Sequence, residues 1–465
     1  MIVMKFGGTS VQDAAAINRA TEIVFGRVTQ SPVVIVSAMA RVTDALIKIA
    51  RTAEERHFDE ASSLISELRE RHLKTARELL SKASLPKGDN FSLDKVESRI
   101  VELFAELEGL ARSVATLGEL TGRSKDAIVS FGERLSSILV ASAFRAHNLD
   151  AALVDSREFL ITDGNFTSAA PQMPETGSRT RRELLPLIDA GRVPVAQGFI
   201  GSTLEGVTTT IGRGGSDYSA AIIGAALEAD AIEIWTDVDG LMTADPRVVP
   251  ESRRIRVISF AEAAELSYFG AKVLHPSTVL PAVEKKIPVH IYNTHNPACE
   301  GTLIVAETQR SSNLIKSIAF KRNVTVVNIT STRMLMAHGF LRTIFEIFER
   351  HQTSVDVVTT SEVSVSITLD AADSLEAIER DLEGTGEVRI ERDKAIVCVV
   401  GDNLKFTPGV AGRLFRAISD INVNMISQGA SEINVTFVID ERDVEKVARA
   451  LHEEFFAEVD PAVFA

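Results

Sequence analysis

Lys5-Phe6-Gly7-Gly8-Thr9-Ser10-Val11, entered through the apolar run Ile2-Val3-Met4, is the stretch whose reading decides the fold. The apolar run predicts a buried strand, and the periodic segment from about Gln12 predicts a helix. Two adjacent glycines between them let backbone approach a ligand and turn N–H groups toward an anion. A helix starting there adds the positive end of its dipole, and Lys5 adds a charge that can reach a phosphate oxygen. Gly-Gly also occurs in tight turns for steric reasons alone, so this stretch by itself leaves both readings open. It is not a Walker loop, because GxxxxGK[ST] is absent.

Working outward, the same alternation recurs. Pro32-Val33-Val34-Ile35-Val36-Ser37-Ala38 is an apolar run of the kind buried in a parallel sheet, and Val42-Thr43-Asp44 opens another helix. Residues 51–145 read as helix almost throughout, broken near 85–90. Strands are expected at 151–155, 193–201, 208–211 and 231–237, with a helix of small residues over 219–229. Strands alternating with helices mean an α/β domain with a mainly parallel sheet, whose ligands sit at the carboxyl ends of the strands. Both glycine-rich turns, Ser37, Asp155 and Asp237 lie at such ends.

Near residue 305 the pattern changes to a repeat at a spacing of 70. Gly339 matches Gly409, Phe345 matches Phe415, Ser361-Glu362 matches Ser431-Glu432, and Asp370 matches Asp440. Each copy reads as a βαββαβ unit, a ferredoxin-like plan, and two such units in tandem are expected to join their sheets side by side.

Composition narrows the classes. A chain of 465 residues should hold two or three domains. The net charge of −14 argues against nucleic acid or an anionic membrane as partner. Two cysteines, Cys299 and Cys398, without metal spacing fit a reducing cytoplasm rather than a disulfide or zinc scaffold. No secretory signal or uninterrupted membrane-length apolar run is read from the sequence, so no membrane span is expected.

The second glycine cluster, Gly212-Arg213-Gly214-Gly215-Ser216-Asp217, is a nest of N–H donors beside a cation, suited to phosphate or carboxylate. Asp217 either caps the following helix or has a functional role, orienting a lysine, with Lys5 its natural partner, or holding a metal. Glu133, in Gly132-Glu133-Arg134, is either a solvated first-turn acid or a contact for an amino group. Thr236 and Asp237 end a strand and could hold a nucleotide, whereas Asp239-Gly240 could be turn chemistry only. Arg247 could pair with phosphate or with a surface acid. Lys272 is a candidate phosphate ligand, and His275 reads as a loop anchor. Phosphoryl transfer needs such a set: cations on the transferring group and a positioned nucleophile.

These blocks together resemble aspartate kinases. Lys5–Val11 is similar to the KFGGTSV signature of that family. Val36-Ser37-Ala38-Met39, Gly132–Ser136, Gly198-Phe199-Ile200-Gly201, Gly212–Tyr218, Trp235–Gly240, Asp245-Pro246-Arg247 and Phe269–Pro276 resemble its further blocks, in the right order and over the whole chain. Glu362 within Thr359–Ser364 resembles the monofunctional, lysine-sensitive branch, and no homoserine dehydrogenase domain is expected after the second repeat.

The resemblance implies an amino-acid-kinase (carbamate-kinase-like) parallel-sheet sandwich over 1–305, then two ACT modules over 306–388 and 389–465. It implies ATP- and Mg²⁺-dependent phosphorylation of the β-carboxylate of L-aspartate to 4-phospho-L-aspartate, the step toward lysine, threonine and methionine. Carried over residue by residue, Lys5, Gly7 and Gly8 would cradle the transferring phosphoryl group, and Asp217 would orient Lys5. Ser37, Thr43, Glu133, Phe199, Arg213 and Ser216 would form the aspartate pocket. Thr236, Asp237, Met242, Arg247 and Lys272 would bind ATP; Met242 stands where the family often has a tyrosine. Met334, Gly339, Phe340, Leu341, Asp356, Ser361 and Glu362 would line an amino-acid effector site, lysine being the effector implied. Met336 and Ala337 depart from the histidine and serine of lysine-sensitive relatives. A homo-dimer or tetramer through the ACT modules is implied. Against this stand a related kinase acting on glutamate, acetylglutamate or a nucleotide, which the Gly132-Glu133 and Gly212–Asp217 blocks argue against, and a sensor without catalysis, which the joint presence of Lys5, Glu133, Arg213 and Asp217 argues against.

Overall fold

The structure, a computed structural model, describes residues 1–81, 89–269, 276–308, 313–331, 338–370 and 374–465. Its strands are β1 Ile2–Phe6, β2 Pro32–Val36, β3 Ala151–Val154, β4 Val193–Gln197, β5 Ile200–Ser202, β6 Thr208–Thr210, β7 Ala231–Thr236 and β8 Val257–Ser259, then β9 Val289–Asn293, β10 Thr302–Val305, β11 Ile315–Thr330, β12 Val358–Thr360, β13 Ser364–Asp370, β14 Glu387–Gly401, β15 Met425–Gln428 and β16 Asn434–Asp440. Its helices are α1 Ala14–Phe25, α2 Val42–Glu54, α3 Phe58–Leu80, α4 Leu93–Leu117, α5 Gly122–Val129, α6 Phe131–Ala146 and α7 Met173–Asp189, then α8 Gly215–Leu227, α9 Phe260–Phe269, α10 Leu280–Glu284, α11 Phe340–Arg350, α12 Leu375–Glu383, α13 Val410–Ala417 and α14 Val444–Phe456.

The chain divides into two compact units, Met1–Gly240 with Leu274–Ala306, and Leu241–Val273 with Glu307–Ala465. An unbroken 1–305 domain is therefore not what the contacts give: residues 241–273 cluster with the C-terminal part.

In the first unit the strands run β3-β4-β2-β1-β7-β9-β10. All pairs from β3 to β9 are parallel, and β10 returns antiparallel. The order reverses at β1, which has β2 on one side and β7 on the other, so the crevice for a ligand opens where β1 ends. Every residue of β1 is buried. Successive side chains point to opposite faces. Ile2, Met4 and Phe6 enter the core shared with α1 to α6. Val3 and Lys5 therefore face the other side, where α8 packs; Gly224 lets that helix settle close, since a Cβ there would lie 2.7 Å from Ile232 and 3.9 Å from Val3. Residues 122–146 are long and apolar enough to cross a membrane by length and composition alone, but 89% of their 18-residue apolar window is buried inside the protein. It is a core helical segment, with 13 of the 16 residues of α6 buried.

The second unit holds a sheet in the order β12-β13-β11-β14-β16-β15. Both ferredoxin-like repeats are present, but they are interleaved rather than consecutive. The distal half of β11, Val324 to Thr330, pairs with β13 and with Glu387 to Lys394 of β14. Its proximal half, Ile315 to Lys321, pairs with Ile396 to Gly401, and so completes the repeat containing β15, β16, α13 and α14. The division at 388/389 fails for this reason: the last strand of the second repeat precedes the first repeat in sequence. Register shifts between Lys321 and Val324 mark the crossing point.

In the same unit Lys316 and Glu262 form an ion pair of 2.9 Å with side chains only 2% and 3% exposed. Thr308 accepts a further hydrogen bond from Lys316, and Ser259 donates to Glu262. Removing one member leaves a buried charge unpaired. Lys316→Met is expected to destabilise the chain by about 3–5 kcal/mol and the double change Lys316→Met/Glu262→Leu to recover most of that. Urea unfolding of the two variants checks it; equal losses would show that the pair contributes nothing specific.

Candidate active site

A cavity of about 560 Å³ opens at the carboxyl end of β1, lined entirely by the first unit. It brings together Lys5, Gly8, Ser37, Thr43, Glu133, Phe199, Arg213, Ser216 and Asp217, nine residues far apart in sequence. Lys5 Nζ lies 2.6 Å from Asp217 Oδ1, with the side chains 10% and 14% exposed. Pleat parity sends Lys5 to the α8 face, and Asp217 sits in the first turn of that helix. Of its two readings the pairing with Lys5 is the one observed: Gly214 is the N-cap, at φ 71°, and makes no side-chain cap.

The dipole expected of the first glycine turn comes from elsewhere. Gly8–Val11 forms a short 3-10 turn, and α1 begins only at Ala14, where Asp13 accepts from the Ala16 N–H. That helix end is already satisfied. The α2 and α8 termini instead open beside the cavity, behind Arg41 and Gly214, neither end bearing a side-chain cap. Gly7 donates its N–H to Trp235 O at 3.0 Å, which fixes the turn against β7. Gly8 lies so close to the next loop that a Cβ would be 2.9 Å from Ala38 O.

Glu133 is 3% exposed. Its Oε1 accepts from the Ala38 N–H at 3.1 Å, and its Oε2 has no partner. Burial pushes its pKa up to about 8, with the Ala38 hydrogen bond opposing. It is therefore no solvated surface acid but a carboxyl held neutral at pH 7 until a cation arrives. Gly132 makes this approach feasible: a Cβ there would lie 2.7 Å from Ala38 Cβ.

Three non-glycine residues lining the cavity have left-handed backbones: Arg41 at φ 67°, Thr167 at 72° and Phe199 at 66°. Such strain persists only where neighbours over-determine it. For Phe199, the Ser219 hydroxyl accepts from its N–H, and its carbonyl accepts from the Ile211 N–H. Arg41, Lys125, Asp126 and Thr167 also line the cavity and were not named from sequence. They carry no motif; a buried acid and an exposed one look alike within a polar helix.

The proposed nucleotide residues are more scattered. Thr236 ends β7 and Asp237 follows it, and the Thr236 carbonyl accepts from the Thr294 N–H and hydroxyl. Asp239 is held by the Asn293 and Asn296 amides. Met242 and Arg247 lie in the second unit. There Arg247 pairs with Asp245 and is exposed, so of its two readings the acid partner is the one observed. Lys272 and His275 fall outside the described residues.

In the repeats, Gly339 is the N-cap of α11 at φ 88°, with Phe340 and Leu341 in the first turn. Ser361 and Glu362 lie exposed between β12 and β13. Asp356 does not offer a free acid as expected: it accepts from Lys321 at 2.8 Å and from the Tyr268 hydroxyl at 2.7 Å, so its charge is already matched. Met334, Met336 and Ala337 lie outside the described residues.

Comparison with known proteins agrees with this geometry. The amino acid kinase family profile matches residues 1–293, and an ACT domain profile matches 397–455. The chain is 37% identical over 465 residues to the lysine-sensitive aspartokinase 3 of Escherichia coli, covering 98% of this chain and 99% of that protein. It is 36% identical to the chloroplastic aspartokinase 1 of Arabidopsis thaliana, covering 98% of this chain and 80% of that one. The crystal structure of E. coli aspartokinase III with aspartate and ADP in the R-state matches with a TM-score of 0.82 at 36% identity, over 98% of this chain and 100% of that chain. The T-state structure with lysine and aspartate matches with 0.83 at 36% identity, over 98% and 99%. With the parallel sheet, its cavity at the end of β1 and the ACT repeats all accounted for, the chain belongs to the aspartokinases, kinases that phosphorylate aspartate.

Proposed function

We propose that the β1 cavity is where L-aspartate is phosphorylated on its β-carboxylate by ATP, and that the observation carrying this assignment is the Lys5–Asp217 pair standing in one cavity with the unpartnered Glu133 oxygen. Glu133 takes the substrate ammonium, and Arg213, which is exposed and forms no ion pair among the described residues, takes a carboxylate. Ser37, Thr43 and Ser216 line the pocket and Phe199 walls it. The β-carboxylate is the nucleophile and is already ionised at neutral pH, so no general base is needed. Lys5 meets the negative charge that develops on the transferring group, and Asp217 keeps its ammonium in place. Gly7, Gly8, Thr236 and Asp237, at the neighbouring strand ends, fit the phosphates and ribose of ATP. Among the described residues no three His, Cys, Asp or Glu side chains cluster to hold a metal, so Mg²⁺ is read as arriving on the nucleotide phosphates, where that ion usually keeps several waters.

Lysine is the proposed effector, acting at the repeat that carries Gly339 and Glu362. The E. coli relative crystallised with lysine supports this reading. The proposal also includes assembly with further copies through the ACT modules, where Leu341, Phe345 and Ile426 present exposed apolar side chains, and a cytoplasmic setting suited to two free thiols.

Glu133→Gln is expected to raise KM for aspartate by roughly 30-fold or more, since a buried charge partner is lost. Thermal stability at pH 7 should hold, because a protonated carboxyl and an amide are both neutral; steady-state ADP release and a melting curve check both. The free enzyme binds a proton at Glu133 below about pH 8. Aspartate binding expels it, so affinity should rise from pH 6 to pH 8 and then level off. Calorimetry in buffers of different ionisation enthalpy reads the proton released, and zero release at pH 7 would refute the role. Glu362→Ala should keep kinase turnover and lose suppression by lysine; equal inhibition of mutant and parent would sink the effector assignment.

A further inference from the structure

Asp126, on α5, is 1% exposed and lines the same cavity. Its Oδ2 accepts from two backbone N–H groups, Thr167 at 2.9 Å and Thr210 at 2.9 Å. Its Oδ1 accepts from the Thr210 hydroxyl at 2.7 Å. Both anchored residues also line the cavity. Thr210 ends β6, two residues before the glycine nest that holds Arg213. Thr167 is β-branched and sits at φ 72°, a conformation such residues rarely adopt unaided. One carboxylate thus ties α5 to the strand feeding the Arg213 loop and to a strained residue of the facing segment. The next residue toward the N-terminus, Lys125, also reaches the cavity.

We infer that Asp126 is a positioning residue for substrate: it sets the Thr210–Arg213 approach and holds Thr167 in its strained turn, and so fixes the width of the aspartate subsite without touching the reacting atoms. The inference rests on the assignment of this cavity to aspartate. The geometry divides the consequences. Asp126 braces the side of the cavity formed by α5, β6 and the Arg213 loop, whereas Lys5, Gly7 and the β7 end are held by other contacts. Loss of the brace should therefore weaken aspartate and spare ATP.

The test compares full-length Asp126→Ala, Asp126→Asn, Thr210→Val and the double variant Asp126→Ala/Thr167→Gly by KM for each substrate, kcat and melting temperature. Asp126→Ala should raise KM for aspartate about tenfold or more, within the roughly hundredfold that an ångström of misplacement can cost, and change KM for ATP by less than about twofold. Asp126→Asn should recover most of this, because an amide oxygen still accepts both N–H groups. Thr167→Gly in the Ala background should recover part, because glycine needs no holding. Thr210→Val, which removes only the hydroxyl bond, should lie between parent and Asp126→Ala, and it carries the test together with Asp126→Asn if the Ala variant does not fold. A folded Asp126→Ala with both KM values unchanged overturns the inference, as does a parallel rise in both; so does Thr210→Val with parental kinetics when Asp126→Ala is unfolded. Glu133→Gln run alongside separates the two claims. If it leaves KM for aspartate unmoved, the cavity assignment fails; if it raises that KM and Asp126→Ala does not, the brace alone fails.

Discussion

The alternation of side chains along β1 is the constraint on which the site depends. Because neighbouring residues of a strand face opposite ways, burying Ile2, Met4 and Phe6 in the larger core commits Lys5 to the α8 side. There its ammonium meets Asp217 before the strand gives way to Gly7 and Gly8. A slip of one residue would exchange Lys5 for an apolar side chain and leave a cation in the core. Hydrophobic burial of β1 and placement of the charge are thus one event. The remaining partners arrive on α2, α6, α8 and the loops after β2, β4 and β6.

Charge in the cavity is arranged by burial as much as by pairing. Lys5 is matched by Asp217. Glu133 is left unmatched and, being fully enclosed, holds a proton instead. Strained backbones at Arg41, Thr167 and Phe199 line the same cavity. Three of the eight left-handed non-glycine residues described in the first unit thus line one cavity, in keeping with local rules being broken at functional sites.

Much of this was legible in the residues. The strand–turn–helix rhythm placed the parallel sheet, because apolar runs of five and glycine turns have a direct steric meaning. The two glycine clusters, with Lys5, Arg213 and Asp217, pointed to one site because strand ends in such sheets converge. Other features were not legible. Nothing in Ser124-Lys125-Asp126 marks which carboxylate is enclosed, since that depends on β6 and on residue 167 arriving from elsewhere. Asp356 looked available for a ligand because its partners, Lys321 and Tyr268, are 35 and 88 positions away. The interleaving of the repeats was hidden for a similar reason: a spacing of 70 reveals that two copies exist, not which strand closes which copy.

That interleaving has a consequence for how the chain comes off the ribosome. Residues 315–321 emerge first, yet their strand neighbours at 396–401 are made 75 to 86 residues later. The repeat built from α11, β12, β13 and α12 can close around the distal half of β11 in the meantime, while the proximal half waits as an open edge. Long-range strand pairing of this kind is slow, and an unpaired edge is the state most exposed to aggregation. The two repeats therefore differ as units of inheritance. The first is continuous from 324 to 394 and could be exchanged as one segment, whereas the second is split around it, and exchanging its C-terminal part alone would leave the proximal half of β11 with a foreign partner.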